Sequence, residues 1–181
     1  MTPSPPSTRA PAAAPAPAPH AGEQWYTEFG TRIYRYLRYH VASADEAEEL
    51  TAETFLRAVR AAGRFDPARG NAKAWLCRIA QNALRDARRR DRRRGSVPLE
   101  SFRDLVSDAP SPEERVLHEE EVRRLLTAMD GLAERDREVV SLRYGSELEY
   151  GEIASILGIR EPAVRTRLWR ALGRLREAMT Q

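Results

Sequence analysis

The residues with the most evident chemistry are arginines, and they recur at helical spacing in two places. Between Arg78 and Arg94 there are eight arginines against two aspartates. Between Arg160 and Arg176 there are six against one glutamate. At 3.6 residues per turn, Arg78, Asn82, Arg85 and Arg89 fall on one helix face. Leu76, Ile79, Ala80, Ala83, Leu84 and Ala87 fall on the other. A guanidinium stripe of this kind follows a phosphate backbone, and an amide such as Asn82 can read a base edge. Trp75, beside a loop, either packs in the core or stacks on an unpaired base.

The second basic stretch sits in a helix-turn-helix pattern. Tyr150, Ile153, Ala154 and Leu157 form an apolar stripe, Gly158 breaks it at a tight turn, and Pro162 restarts a helix where proline is tolerated. Val164, Leu168, Ala171, Leu172, Leu175 and Met179 line the inner face of that helix. Ala163, Thr166, Trp169 and Arg170 lie opposite, flanked by Arg165 and Arg167. Arginine and threonine there suit guanine edges or phosphates. Trp169 either meets a thymine methyl or sugar, or is covered by a neighbouring helix.

Acidic residues are segregated from the basic ones. Asp45–Glu53 holds five acids and no base, and Glu100–Glu121 holds eight acids against two arginines, so the net charge of +3 hides strong local fields. Glu46, Glu49 and Glu53 form an acidic stripe that would repel DNA. It is either solvated or docked on a basic protein surface.

The elements that position these residues are helices throughout. Residues 1–22 are almost all Pro, Ala, Ser and Thr, which predicts a disordered or polyproline-like tail. A helical domain is expected over 23–94. Its first helix carries Trp25, Phe29, Ile33 and Leu37, Ser43-Ala-Asp-Glu46 is a capping box, and Phe65–Gly70 is a loop. Its third helix runs from about Ala72 to Arg90. Residues 95–112 form a Pro- and Gly-containing linker. A second helical domain over 113–181 opens at Ser111-Pro-Glu-Glu114, with helices over 113–129, 134–144, 150–157 and 162–179. The fold is thus all-α, with two small domains on a flexible connection.

Several function classes find no support. Cys77, the only cysteine, allows no internal disulfide or Cys/His metal set and reads as a small apolar filler. His20, His40 and His118 are scattered, and no P-loop, acidic metal cluster or nucleophile–His pair occurs, so neither an enzyme nor a cofactor is expected. No apolar run reaches a membrane span and no signal-peptide core is present, which leaves a cytoplasmic protein as the expectation, without membrane insertion. A conventional helix-turn-helix regulator remains a rival, but it leaves Trp75–Arg94 and the acidic stripe unexplained.

Over about residues 24–180 the chain resembles the extracytoplasmic-function (ECF) group of bacterial sigma-70-like sigma factors. Glu46–Ala58 is similar to region 2.1–2.2. Phe65–Gly70 with Trp75–Asn82 and Asp86 is similar to regions 2.3 and 2.4. Pro112–Val116, Glu134–Val140, Leu142–Tyr144 and the helix-turn-helix are similar to region 4. The resemblance implies binding to core RNA polymerase and to promoter DNA, with an anti-sigma factor as regulator. It implies that Glu46, Glu49, Leu50 and Glu53 meet the β′ coiled coil, with the β flap as a further contact. Phe65, Asn71, Lys73, Trp75 and Asn82 would lie near melted minus-ten bases, with Arg78, Arg85, Arg88 and Arg89 on phosphates. Arg165, Thr166, Arg167, Trp169 and Arg170 would read the minus-thirty-five element. Cys77 departs from a commoner aromatic, and Glu161-Pro-Ala163 adds an acid near DNA. The Pro/Ala tail lies outside the shared pattern.

Overall fold

The computed structural model describes residues 21–94 and 112–180. The expected tail and linker lie outside the described residues, save that Ala21 and Gly22 open the first helix and Pro112 opens the fourth. Seven α-helices follow in order: α1 (Ala21–Arg38), α2 (Ala44–Arg60), α3 (Ala72–Arg94), α4 (Pro112–Asp130), α5 (Glu134–Val140), α6 (Tyr150–Leu157) and α7 (Glu161–Thr180). No strand occurs among the described residues.

Local chemistry sets the helix ends. Ser43 Oγ accepts from the Glu46 N–H at 3.1 Å to start α2, while Asp45 and Glu46 face its positive end and Arg57 and Arg60 its negative end. The loop into α3 turns where Asp66 Oδ1 accepts from the Ala68 N–H at 3.0 Å. Asn71 Oδ1 then caps α3 by accepting from the Ala74 N–H at 2.8 Å. Gly158 closes α6 in the left-handed region, φ 65°, as the tight turn requires.

In the first half, α1 contributes Ile33, Tyr36 and Leu37, α2 contributes Ala47, Leu50, Phe55 and Ala58, and α3 contributes Leu76, Ala80, Ala83 and Leu84. The alanines let α2 and α3 approach closely. In the second half, Val139, Ile153, Val164, Leu168, Ala171 and Leu175 seat α7 on α5 and α6. Ile79 is only half-buried, and Met179 projects into solvent rather than completing the inner face of α7.

Two findings go beyond the sequence expectation. The helix expected over 134–144 ends at Val140 and widens into a π turn, Ser141–Gly145, closed by the Ser146 N–H donating to the Ser141 carbonyl at 3.1 Å. Gly145 lies on the backbone of α1, where an added Cβ would sit 2.9 Å from Tyr36 Cα and N. Only a residue without a side chain permits that approach. Secondly, the two halves are packed together: buried residues of both form one continuous apolar cluster.

Candidate nucleic-acid interface

The outer face of α7 is held out to solvent by its inner one. With Val164, Leu168, Ala171 and Leu175 buried, the helical period leaves Arg165, Thr166, Trp169 and Arg170 exposed, and Trp169 is 77% exposed. No helix among the described residues covers that indole. Arg165 is preorganised: it donates to Glu161 Oε1 at 2.6 Å and its guanidinium lies 4.3 Å from the centre of the Tyr150 ring. Thr166 Oγ1 donates back to the Pro162 carbonyl at 3.0 Å. Arg167 is turned toward the body, 3.6 Å from the buried Asp136, which also accepts from Arg174 at 3.1 Å. Asp136 therefore ties α7 to α5, a role the sequence did not reveal.

On α3 the expected nucleic-acid residues divide into two sets. Asn82, Arg85 and Arg89 are exposed, and Arg85 donates to Asn82 Oδ1 at 2.9 Å. Asn71, Lys73, Arg78 and Arg88 instead reach the second half of the chain. Asn71 pairs with Glu152, and Lys73 Nζ donates to the Glu147 carbonyl at 2.7 Å. Arg78 donates to Ser155 O and Oγ at 3.0 and 2.9 Å, and Arg88 to Glu134 at 2.5 Å. Phe65 and Trp75 are half-buried and form a three-ring cluster with Trp25, with centroids 5.2–5.6 Å apart. Trp75 thus packs on other aromatic rings, while keeping one side open.

On α2, Glu49 is exposed and Glu46 is half-buried, its carboxyl raised above the usual range first by burial and then by Asp91. Glu53 accepts from Arg57 at 2.7 Å, and Arg57 also binds Asp86 at 2.8 Å. Leu50 is a correction: at 4% exposure its side chain belongs to the core between α1, α2 and α3, so it presents nothing to a partner. The exposed apolar residues beside the acids are Leu56 and Val59, 53% and 55% exposed, with Tyr26 of α1 nearby against Phe55. Their position one and two turns beyond Glu53 was legible as helical spacing but was not singled out. Cys77 is fully buried, and burial pushes its thiol up to about 12, which leaves it unreactive at neutral pH.

A family model of sigma-70 region 2 matches residues 25–94, and one of sigma-70 region 4 matches residues 122–175. The ECF RNA polymerase sigma factor SigM of Bacillus subtilis is 30% identical over 85% of this chain and 92% of its own length. CarQ of Myxococcus xanthus, an RNA polymerase sigma factor, is 32% identical over 90% and 91%. This chain is an ECF sigma factor of the sigma-70 family. BldN of Streptomyces coelicolor is 35% identical over 81% of the sigma factor described here, which spans 56% of BldN. Among solved structures, RpoE of Bartonella quintana in complex with the anti-sigma factor NepR superposes with a TM-score of 0.70 at 24% identity, covering 89% of this sigma factor and 98% of RpoE. CnrH in complex with the cytosolic domain of CnrY gives 0.68 at 23%, covering 90% of each. Those two establish the fold. Within it, α2 and α3 carry the region 2 surfaces and α6–α7 the helix-turn-helix of region 4.

Proposed function

We propose that this sigma factor binds core RNA polymerase and directs it to promoters. The outer face of α7 takes the minus-thirty-five element, and the α3 face with the Phe65–Trp75 rings takes minus-ten bases as they unstack. The observation that carries this is the exposed Trp169, Arg165 and Arg170 face of a helix-turn-helix, in a chain whose α3 presents a second arginine stripe. Two contact surfaces, each small, become effective when polymerase holds both at the right span. Base capture offsets the few kcal/mol needed to unstack a nucleotide. The acidic side of α2, with Leu56 and Val59 beside it, is the polymerase-facing surface, since an acidic, partly apolar face suits a basic protein and not DNA. In this role the protein is a non-catalytic subunit that works in the cytoplasm, where its polymerase is. No helix among the described residues is long and apolar enough to cross a membrane. That RpoE is solved with the anti-sigma factor NepR supports an anti-sigma factor as regulator here too.

Run-off transcription on fragmented genomic DNA, with core polymerase plus or minus the protein, tests the function. Discrete new start sites are expected. Neither transcripts nor a core complex on gel filtration would return the chain to the class of helix-turn-helix regulators.

A further inference from the structure

The helix-turn-helix clamps one arginine of its outer face. Arg165 donates from Nη2 to Glu161 Oε1 at 2.6 Å, one turn earlier on α7. Its guanidinium also lies 4.3 Å from the centre of the Tyr150 ring, which belongs to α6. Tyr150 is itself held. Arg143 comes within 5.1 Å of the same ring, and is anchored by donating to the Leu148 carbonyl at 2.8 Å and to Glu149 Oε1 at 3.1 Å. The other carboxylate oxygen of Glu161 faces α6, where a Cβ added at Gly151 would meet Oε2 at 3.8 Å. An exposed ion pair one turn apart contributes little to stability by itself. Here it is joined by a ring from the other helix of the motif, so the two fix the direction of the guanidinium as well as its position. Arg170, exposed on the same face, pairs with no residue among those described.

We propose that Glu161 and Tyr150 are positioning residues that aim Arg165 at a guanine edge, and so set the base preference of this motif at one base pair of the minus-thirty-five element. The proposal rests on the promoter-binding reading above and deepens it. A guanidinium has several N–H donors, and the contact with Glu161 spends one of them. The rest of the fork stays open on a side chain that is 59% exposed, and can donate in parallel to guanine O6 and N7. Two effects favour a base over a phosphate. The carboxylate offsets the guanidinium charge, so the pair as a whole has little attraction for the backbone, whereas a neutral base edge asks only for the donors, which remain. The ring and the carboxylate also restrict the side chain before DNA arrives, so less rotamer freedom is lost when parallel bonds must form together. The acid that Glu161 places beside DNA, a repulsive group on its own, thus has a use. Arg170, uncompensated, keeps its full attraction for phosphate.

The experiment uses the full chain with core polymerase, on duplex fragments carrying one promoter found by run-off transcription, with each base pair of its upstream element substituted in turn. Competition binding of wild-type holoenzyme should show one G·C pair whose replacement costs about tenfold or more in affinity. Glu161→Gln frees the charge of Arg165. Discrimination at that pair should fall several-fold, while affinity should drop more steeply with salt, the log–log slope steepening by about one. Removing both charges, Glu161→Gln with Arg165→Gln, should abolish the preference at that pair, spare the other positions and leave the slope as in wild type. Tyr150→Leu should also blunt the preference, and Tyr150→Phe, which keeps the ring, should restore it. Thermal melting of each variant shows that the fold remains. Should Tyr150→Leu melt early, the two Glu161 variants, on the solvent side of α7, decide alone. The proposal is overturned if Glu161→Gln changes neither preference nor slope, or if a folded Tyr150→Leu discriminates as well as Tyr150→Phe. It is equally overturned if the double variant weakens binding alike at every position with a shallower slope, which would make Arg165 a phosphate contact. In each of these cases discrete start sites keep the sigma function. Absence of start sites with wild type sinks the function, and this proposal with it.

Discussion

Trp169 and His40 show what a single residue's surroundings decide. Trp169 projects from the outer face of α7 and is exposed among the described residues, so replacing it costs the fold little, within about 0.5 kcal/mol for a surface site away from special features. Its loss should fall on promoter binding. Trp169→Ala is expected to leave the melting temperature unchanged and to weaken holoenzyme binding at a minus-thirty-five-dependent promoter by about 1–3 kcal/mol, as for one mismatched base pair. Filter binding beside thermal melting separates the two effects, and an equal fall in both would show that Trp169 is structural. His40 is the converse, a histidine with no role legible in the sequence, which the structure buries. Burial, then Arg88 and Arg137, lowers its pKa from 6.5 to about 3, although Glu138 Oε2 lies 3.3 Å from its Nε2. The folded state therefore refuses a proton that the unfolded chain accepts. Stability is complete above about pH 6.5 and is lost as pH falls from there toward 3, with a slope approaching about 1.4 kcal/mol per unit. Glu138 acts in the opposite sense near the carboxylate range, since its raised pKa favours the folded state below it. Denaturation between pH 7 and pH 5.5 should show the histidine effect, and His40→Gln should flatten it. An unchanged slope in the variant would assign the acid sensitivity elsewhere. The exposure of Arg165, Thr166, Trp169 and Arg170 was legible from period alone. The partners of Asn71, Lys73, Arg78 and Arg88 were not, because they come from residues remote in sequence.

At the scale of elements, local signals were read well where the cause is local. Ser43 starts α2 through its own hydroxyl, and Gly158 stops α6 because a left-handed residue must sit there. An added Cβ at Gly158 would meet nothing within 4 Å, so the cost of Gly158→Ala is the backbone's alone, about 1–2 kcal/mol. Gly158→Asn should cost less, since asparagine tolerates the left-handed region. Urea titrations should place the midpoints in the order glycine, asparagine, alanine, and a different order would mean that the turn is not the limiting feature. The π turn after α5 could not be read in the same way. Nothing in Ser141–Gly145 by itself widens a helix, and the reason for Gly145 there lies on the backbone of α1. Leu50 was misassigned for a related reason. Helical spacing places it one residue from Glu49, but only the packing of α1 and α3 shows that its side chain turns inward.

For the whole molecule, two kinds of glue join the halves, and they respond differently to salt. The continuous apolar cluster is insensitive to modest ionic strength, whereas Arg32–Glu147 and Arg88–Glu134 are partly exposed ion pairs that salt screens. Unfolding can be followed by two probes: fluorescence, to which Trp25 and Trp75 contribute as a half-buried pair of the first half, and circular dichroism, which sees helices of both. At low salt the two should trace one transition, as for a single cooperative unit. Leu168→Ala, deep in the second half, removes a buried side chain and should cost about 2–5 kcal/mol there. If the halves are coupled, the Trp25 and Trp75 signal moves with the dichroism although neither ring touches α7. Near 1 M salt, where the screening length is about 3 Å, the ion pairs contribute little and the two curves should separate, the second half melting first in the variant. Curves that stay together at high salt would place the coupling in the apolar cluster alone. Curves already apart at low salt would mean that the contact between the halves adds no stability, and that each half stands on its own core.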